Sequence, residues 1–157
     1  ESSMLSDFIL RHKTFLLQAE ADTWQDAVKK SADLLIDSGC ALPAYYEAIL
    51  DAVKEFGPYF VIAPGIAMPH ARPEQGALKL GYGLVCLKKP VFFGHKVNDP
   101  VDIILCIAAP DKKALNEQAI IEVMTLFDND KALSGLRNAK TESDLQKIFR
   151  ISEEENA

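Results

Sequence analysis

The residue best placed to do chemistry is His70, which lies in a short proline-rich segment after an apolar run. Proline fixes its own φ angle and favours extended backbone in the residue before it. Pro69 and Pro73 therefore predict a rigid segment with Met68 and Arg72 both extended. An imidazole displayed this rigidly at the end of a strand can act as a nucleophile, because much of it is neutral near pH 7. The alternative is a loop histidine that forms structural hydrogen bonds, and spacing alone does not decide between them.

Two other charged side chains are candidates for the same site. Arg72 lies two residues beyond His70, so its guanidinium can reach an anionic group beside the imidazole. Arg72 can equally form a surface ion pair with Glu74 or Asp99. Asp102 opens a later apolar run and either orients a partner near the site or accepts hydrogen bonds from loop N–H groups.

The remaining histidines, His12 and His95, lie in polar segments, and we expect both at the surface, although His95 has the alternative of approaching the site. Together with His70 they do not show the spacing that is typical of metal ligands. The three cysteines are widely spaced and form no CxxC pair, so neither a zinc ribbon nor a thioredoxin-type site is indicated. We therefore expect no metal site.

Composition and length indicate a single globular domain. The chain has 157 residues, of which 48% are hydrophobic and 25% charged, as in ordinary soluble domains. A net charge of −6 argues against nucleic acid as the main partner. The longest apolar run, 103–110, is too short to cross a bilayer, and no secretory signal is visible, so we expect a cytoplasmic protein. We place the domain at 4–152, with 1–3 as an appended remnant and 153–157 as a frayed tail.

Hydrophobic periodicity and turn residues predict the order of the elements. The predicted helices are 5–11, 24–38, 43–56 and 141–149, with a short helix around 133–136. The chain is also predicted to turn helical after Pro110, with 119–127 as the patterned part of that helix. The predicted strands are 15–17, 59–63, 82–87, 91–93 and 101–109, with a turn at 88–90. Helices before and after a block of strands indicate a sheet that is covered on both faces. The predicted fold class is therefore α/β, a single domain with a mixed β-sheet and helices on both of its faces.

The run Gly65-Ile66-Ala67-Met68-Pro69-His70-Ala71-Arg72 resembles the active-site signature of a known family. That family is the mannitol/fructose-type enzyme IIA components of the bacterial phosphoenolpyruvate sugar phosphotransferase system. The wider run 57–76, with Asn98-Asp99-Pro100-Val101-Asp102 further on, is similar to the ascorbate-type branch of the family. The resemblance extends from about Thr14 to Ile151.

This resemblance implies a role for His70 and a set of partners. His70 would accept a phosphoryl group on Nε2 from the phosphohistidine of HPr and pass it to a cysteine of an enzyme IIB. A membrane enzyme IIC would then take up ascorbate or a related sugar, and no cofactor would be needed. The alternatives are a regulatory phospho-acceptor and an interaction domain of the same fold. The sugar and the oligomeric state are not determined by the sequence.

The sequence departs from the mannitol-type pattern in two places. Mannitol-type relatives use an arginine from the helix before the strand, where this chain offers Lys54, a flexible point charge that is not equivalent. They also carry a second histidine at the start of a later helix, and the corresponding stretch 115–120 has none. Asn116 and Gln118 are the candidates there to donate a hydrogen bond to a phosphoryl oxygen or to the imidazole. Asn116 has the alternative role of capping that helix.

Overall fold

The computed structural model of the chain describes residues 4–155, so the predicted remnant at 1–3 and the last two residues of the predicted tail lie outside the described residues. Within that range the chain forms seven α-helices and five β-strands. They are α1 (Met4–His12), β1 (Phe15–Ala19), α2 (Trp24–Asp37), α3 (Ala44–Phe56), β2 (Val61–Ala63), β3 (Ile66–Ala67), β4 (Gly81–Val91), β5 (Val101–Ala108), α4 (Lys112–Ala114), α5 (Ile120–Phe127), α6 (Asp130–Asn138) and α7 (Glu142–Glu155). A π-helical segment, Leu115–Ala119, joins α4 to α5 without a break.

Side-chain caps set the start of several helices. The hydroxyl of Thr23 accepts a hydrogen bond from the N–H of Asp26 at 3.1 Å, and α2 begins there. Thr141 accepts from the N–H of Asp144 at 3.1 Å in the same way at the start of α7. The sequence pattern Thr-x-x-Asp, at 23–26 and at 141–144, predicts both caps, and both are confirmed.

The five strands form one mixed sheet in the order β1-β4-β5-β3-β2. β4 runs parallel to β1 and antiparallel to β5, and β3 runs parallel to β5 and antiparallel to β2. The central strand β5 is buried on both faces, which explains its unbroken apolar sequence. The predicted mixed sheet is confirmed.

Helices cover both faces of this sheet, as predicted. One face packs against α2 and α3, and the other packs against α1, α5, α6 and α7. The first of these layers lies very close to the sheet. A Cβ atom at Gly83 would lie only 2.6 Å from the carbonyl oxygen of Ser31, so α2 packs directly on the glycine backbone of β4.

Besides shifts of a few residues at element ends, the structure differs from the predicted elements at the end of β4, at β3 and at the end of the last helix. The predicted turn at 88–90 is absent, because a register irregularity between Cys86 and Val91 accommodates Pro90 and lets β4 continue. The two residues of β3 were not predicted, because a run this short carries no periodicity. The chain is helical to Glu155, past the start of the predicted frayed tail, and Lys131 forms an ion pair with Glu155 there.

None of the helices within residues 4–155 has both the length and the apolar character that a membrane span requires.

Candidate functional site

Backbone hydrogen bonds fasten the segment that carries His70 to the turn before β2 on one side and to β5 on the other. The N–H of Met68 donates to the carbonyl oxygen of Phe60 at 2.8 Å. The carbonyl oxygen of Pro69 accepts from the N–H of Ile107, in β5, at 3.0 Å. His70 therefore follows directly on a rigid extension of the sheet, as its two neighbouring prolines predict.

The hydrogen bond of the imidazole assigns its tautomer. Nδ1 of His70 lies 2.8 Å from the carbonyl oxygen of Met68. A carbonyl oxygen can only accept, so the proton is on Nδ1. In the neutral ring, Nε2 then has a free lone pair. The ring is half-buried and lines an open cleft, so this arrangement suits a nucleophile.

Burial sets the protonation state of this imidazole. Removal from water lowers the pKa of His70, and the hydrogen bond to Met68 raises it by less. The neutral form is therefore favoured near pH 7, and this is the form whose Nε2 can attack an electrophile.

We expect the His70 ring to titrate below the ordinary histidine value of about 6.5. Because its pKa is lower in the folded state than in the unfolded state, the folded protein binds fewer protons between the two values. Stability is then lost as pH falls below the unfolded pKa and through the folded one. NMR titration of the ring, with the urea-unfolded protein as reference, measures the shift. A folded-state pKa at or above the unfolded value would contradict this expectation.

Two tyrosines hold the backbone next to His70. The hydroxyl of Tyr59 donates a hydrogen bond to the carbonyl oxygen of His70, and the two rings meet edge to face at 5.8 Å between centroids. The hydroxyl of Tyr45 accepts from the N–H of Ala71 at 3.0 Å and donates to the carbonyl oxygen of Ile107 at 2.6 Å. Sequence reasoning missed both contacts.

The burial of Tyr45 also corrects the predicted core face of α3. Helical spacing in the sequence predicts a buried stripe of Tyr46, Ile49, Leu50 and Val53 on this helix. Tyr46 is only partly buried, however, and Tyr45 is 1% exposed. Two adjacent tyrosines give the helical pattern no clear preference, so periodicity could not separate them.

His70 opens onto a cleft of about 700 Å³ between α3, the His70 segment and the helix that starts after β5. The candidates Arg72 and Asn116 also line this cleft, whereas Gln118 does not. The other lining residues are Ala48, Asp51, Ala52, Glu55, Phe56, Tyr59, Ala71, Pro73, Gln75, Lys112 and Leu115. Among the residues that the structure describes, the cations of the cleft are thus Arg72 and Lys112.

The described lining of the cleft contains two basic and two acidic side chains. Arg72 and Lys112 are exposed, and neither forms an ion pair with any of residues 4–155. Asp51 and Glu55 are the acidic residues of the lining. Arg72 therefore pairs with neither of the partners that the sequence suggested for it, and its guanidinium is available to an anion.

Lys112 was not identified from the sequence. It directly follows Asp111, whose carboxylate accepts a hydrogen bond from the N–H of Ala114 at 2.8 Å and caps α4. The alternative role of Asn116 as a helix cap is therefore wrong, because the helix begins at Lys112 with Asp111 as its cap. Asn116 instead lies in the π-helical segment, a geometry that often occurs at functional sites.

Two further candidates, Asp102 and His95, lie outside the cleft lining. Asp102 forms an ion pair with Arg137 at 3.0 Å, and Arg137 also donates to the carbonyl oxygen of Pro64. Nδ1 of His95 accepts hydrogen bonds from two backbone N–H groups of its own loop, those of Val97 and Asn98. These contacts give Asp102 and His95 structural roles.

Asp99 and Lys54 also lie outside the cleft lining. The carboxylate of Asp99 accepts from the N–H groups of Phe93, Gly94 and His95 and so organises the loop between β4 and β5. Lys54 lies on α3 but does not line the cleft. Within residues 4–155, no three His, Cys, Asp or Glu side chains converge as metal ligands do.

Comparison with known proteins identifies the family. Residues 8–151 match the family described as "Phosphoenolpyruvate-dependent sugar phosphotransferase system, EIIA 2". The chain is 48% identical over 153 residues to the ascorbate-specific PTS system EIIA component of Escherichia coli (strain K12), with 98% of this chain and 97% of that protein covered. The chain belongs to the EIIA 2 family and is a component of this phosphotransferase system.

Solved structures agree with this assignment. The crystal structure of a candidate PTS IIA protein from Streptococcus mutans superposes with a TM-score of 0.88 at 35% identity, covering 96% of this chain and 95% of that one. The fold also matches enzyme IIA-mannitol of Escherichia coli in its complex with phosphorylated enzyme IIB-mannitol. There the TM-score is 0.77, the identity is 21%, and the match covers 88% and 94% of the two chains, which shows a shared fold.

Proposed function

We propose that this chain carries a phosphoryl group on Nε2 of His70, accepting it from phospho-HPr and passing it to a cysteine of an enzyme IIB. The observation that carries the proposal is the hydrogen bond between Nδ1 of His70 and the carbonyl oxygen of Met68. It fixes the ring proton on Nδ1 and leaves the lone pair of Nε2 for attack on phosphorus.

The proposed transfer balances without an added acid or base. The Nε2 lone pair forms a bond to phosphorus while the N–P bond of the donor phosphohistidine breaks, and that electron pair returns to the donor nitrogen. The proton on Nδ1 of His70 stays in place. The ring is then a cation, so its hydrogen bond to Met68 strengthens. In the second step a thiolate of enzyme IIB attacks the same phosphorus, and the N–P electron pair returns to Nε2.

The charges of the cleft support a phosphoryl group at this position. Its oxygens carry negative charge, and Arg72 and Lys112 are cations in the lining of the same cleft that form no ion pair within residues 4–155. Asn116 offers an amide donor from the π-helical segment. We propose these three residues as the groups that stabilise the transferring phosphoryl group, and we do not extend this role to Gln118.

The apolar rim of the cleft supports docking of protein partners. Phe56 is 63% exposed and Tyr59 is 40% exposed, and both line the cleft that contains His70. Exposed aromatic side chains beside a reactive group are typical of interface centres. The mannitol IIA protein with this fold is known in complex with phosphorylated IIB. We propose enzyme IIB and HPr as successive partners at this rim, with the membrane enzyme IIC reached only through IIB.

The sugar is proposed from the relatives alone. Curated relatives at 46–48% identity are named ascorbate-specific. We propose ascorbate or a related sugar as the transported substrate. The cleft itself gives no information on the sugar, since this chain would transfer only the phosphoryl group.

Intact-mass spectrometry after incubation with phosphoenolpyruvate, enzyme I and HPr tests the proposal. We expect one phosphoryl group, stable at alkaline pH and lost in acid, as is typical of phosphohistidine. Addition of the cognate enzyme IIB is expected to discharge it. A folded protein that takes up no phosphoryl group would contradict the proposal and favour an interaction domain. Uptake without discharge to any IIB would favour a regulatory phospho-acceptor.

Replacement of Arg72 tests the proposed stabilisation of the phosphoryl group. We expect Arg72→Gln to slow phosphoryl uptake by at least about tenfold, because a cation facing the transferring group is lost. Arg72→Lys is expected to restore part of the rate, since it keeps the charge but not the two-pronged hydrogen bonding. Lys54→Gln is the matched control, because Lys54 lies outside the cleft lining. Equal effects at Arg72 and Lys54 would contradict a specific role.

A further inference from the structure

We propose that Tyr45 and Tyr59 are positioning residues that clamp the peptide group between His70 and Ala71 and thereby fix the orientation of the His70 imidazole. This inference rests on the proposed function of His70. Neither tyrosine needs to touch the phosphoryl group for the role that we propose.

The two tyrosine hydroxyls bind opposite sides of one peptide group. Tyr59 donates to the carbonyl oxygen of His70, and Tyr45 accepts from the N–H of Ala71 at 3.0 Å. These two backbone groups belong to the same planar unit, and in a trans peptide they point in opposite directions. A peptide group held at both ends cannot rotate without breaking a hydrogen bond. The clamp therefore restricts the backbone angles that direct the His70 side chain.

Each tyrosine is itself held in place. Tyr45 is 1% exposed and its hydroxyl also donates to the carbonyl oxygen of Ile107 at 2.6 Å, so one atom links α3, the His70 segment and β5. The ring of Tyr59 packs edge to face against Phe60 with 5.1 Å between centroids. The clamp is thus built on α3 and on the turn that leads into β2, and not on the loop that it holds.

The side-chain hydrogen bond of His70 depends on the same geometry. The peptide before His70 is also held, because the carbonyl oxygen of Pro69 accepts from the N–H of Ile107 at 3.0 Å, so with the clamp in place the backbone of His70 is fixed from both sides. Release of the clamp lets the His70 backbone turn and move Nδ1 away from the carbonyl oxygen of Met68. The ring would then no longer be limited to the tautomer with its proton on Nδ1. Burial raises the pKa of Tyr59 to about 12, so its hydroxyl keeps the proton that it donates at any physiological pH.

The tautomer of His70 in the unphosphorylated protein is the direct readout. It is measured by ¹⁵N NMR of histidine-labelled protein, with Tyr45→Phe and Tyr59→Phe each removing one hydroxyl. We expect the wild type to show the Nδ1–H tautomer and each variant to show a mixture of both tautomers. Phosphoryl uptake from phospho-HPr is expected to fall about tenfold to a hundredfold, because small misplacements of a reacting group are costly.

Tyr46→Phe is the matched control. Tyr46 is the neighbour of Tyr45 on α3, but its hydroxyl donates to the carbonyl oxygen of Gln25, outside the His70 segment. We expect this variant to keep the tautomer and the rate of the wild type. If Tyr45→Phe does not fold, Tyr59→Phe still tests the clamp, since Tyr59 is 40% exposed and its hydroxyl is not part of the core.

The outcomes separate this inference from the proposed function. Folded Tyr45→Phe and Tyr59→Phe proteins with the wild-type tautomer would overturn the clamp, whatever their rates. A shifted tautomer supports the clamp even if the wild-type protein takes up no phosphoryl group, because the NMR measurement requires no donor. In that case only the proposed function would fail.

Discussion

Replacement of His70 by glutamine is expected to reduce phosphoryl uptake by more than about a thousandfold, because the nucleophile itself is removed. Glutamine is similar in size and its amide can still donate a hydrogen bond to the carbonyl oxygen of Met68, so the fold should be preserved. A time course of intact mass with phosphoenolpyruvate, enzyme I and HPr measures the uptake, and circular dichroism checks the fold.

The other histidines provide matched controls for this result. His95→Gln and His12→Gln are expected to keep the wild-type rate, since neither side chain lines the cleft. His95→Gln is a valid control only if circular dichroism shows that it folds, because the wild-type ring accepts two backbone hydrogen bonds in its loop. Uptake that survives in His70→Gln and disappears in either control would assign the phosphoryl group to a different histidine.

Replacement of Leu105 by alanine is expected to lower the free energy of unfolding by about 2–5 kcal/mol. Leu105 is fully buried in β5, the central strand, where it belongs to the core on the side of α1, α5, α6 and α7. Loss of its side chain leaves a cavity that the close packing of a sheet between two helical layers cannot fill. Urea denaturation followed by circular dichroism measures the change.

Leu78→Ala removes the same atoms at a position that is 50% exposed and serves as the matched control. We expect a much smaller change there, below about 1 kcal/mol, because most of the transfer free energy of an exposed side chain is never gained on folding. Similar losses at both positions would contradict the assignment of β5 as the central strand of the core.

The fold was largely predictable because its elements are long and patterned. The unbroken apolar run of 101–109 indicated a strand buried on both faces, and β5 occupies the centre of the sheet. β3 has only two residues and owes its existence to pairing with β5, which no local pattern encodes. The end of β4 was missed for a similar reason, because two lysines followed by a proline have the local signature of a turn.

The sequence predicted the proximity of site residues only where those residues are near neighbours along the chain. His70 and Arg72 are two residues apart, so their proximity follows from the sequence, and the structure places both in one cleft. Lys112 and Tyr45 reach that cleft or its backbone from distant parts of the chain, and only the packing of α3 and α4 brings them there. A lysine after a capping aspartate and a tyrosine next to another tyrosine carry no signal of a site.

The position of Asn116 shows how helix geometry alters a prediction. The sequence placed this residue near the first turn of a helix, where a capping role was reasonable. The helix starts at Lys112 and changes to π geometry at Leu115, so Asn116 lies on the cleft wall. Such a change of helix type has no clear sequence signature.

The most direct test of the central claim identifies the atom that carries phosphorus. The protein is labelled with ¹⁵N-histidine, phosphorylated through HPr, and examined by ¹⁵N and ³¹P NMR at alkaline pH. We predict that phosphorus is bonded to Nε2 of His70 and that Nδ1 keeps its hydrogen bond to the carbonyl oxygen of Met68. Phosphorus on Nδ1, or on any residue other than His70, would contradict the account.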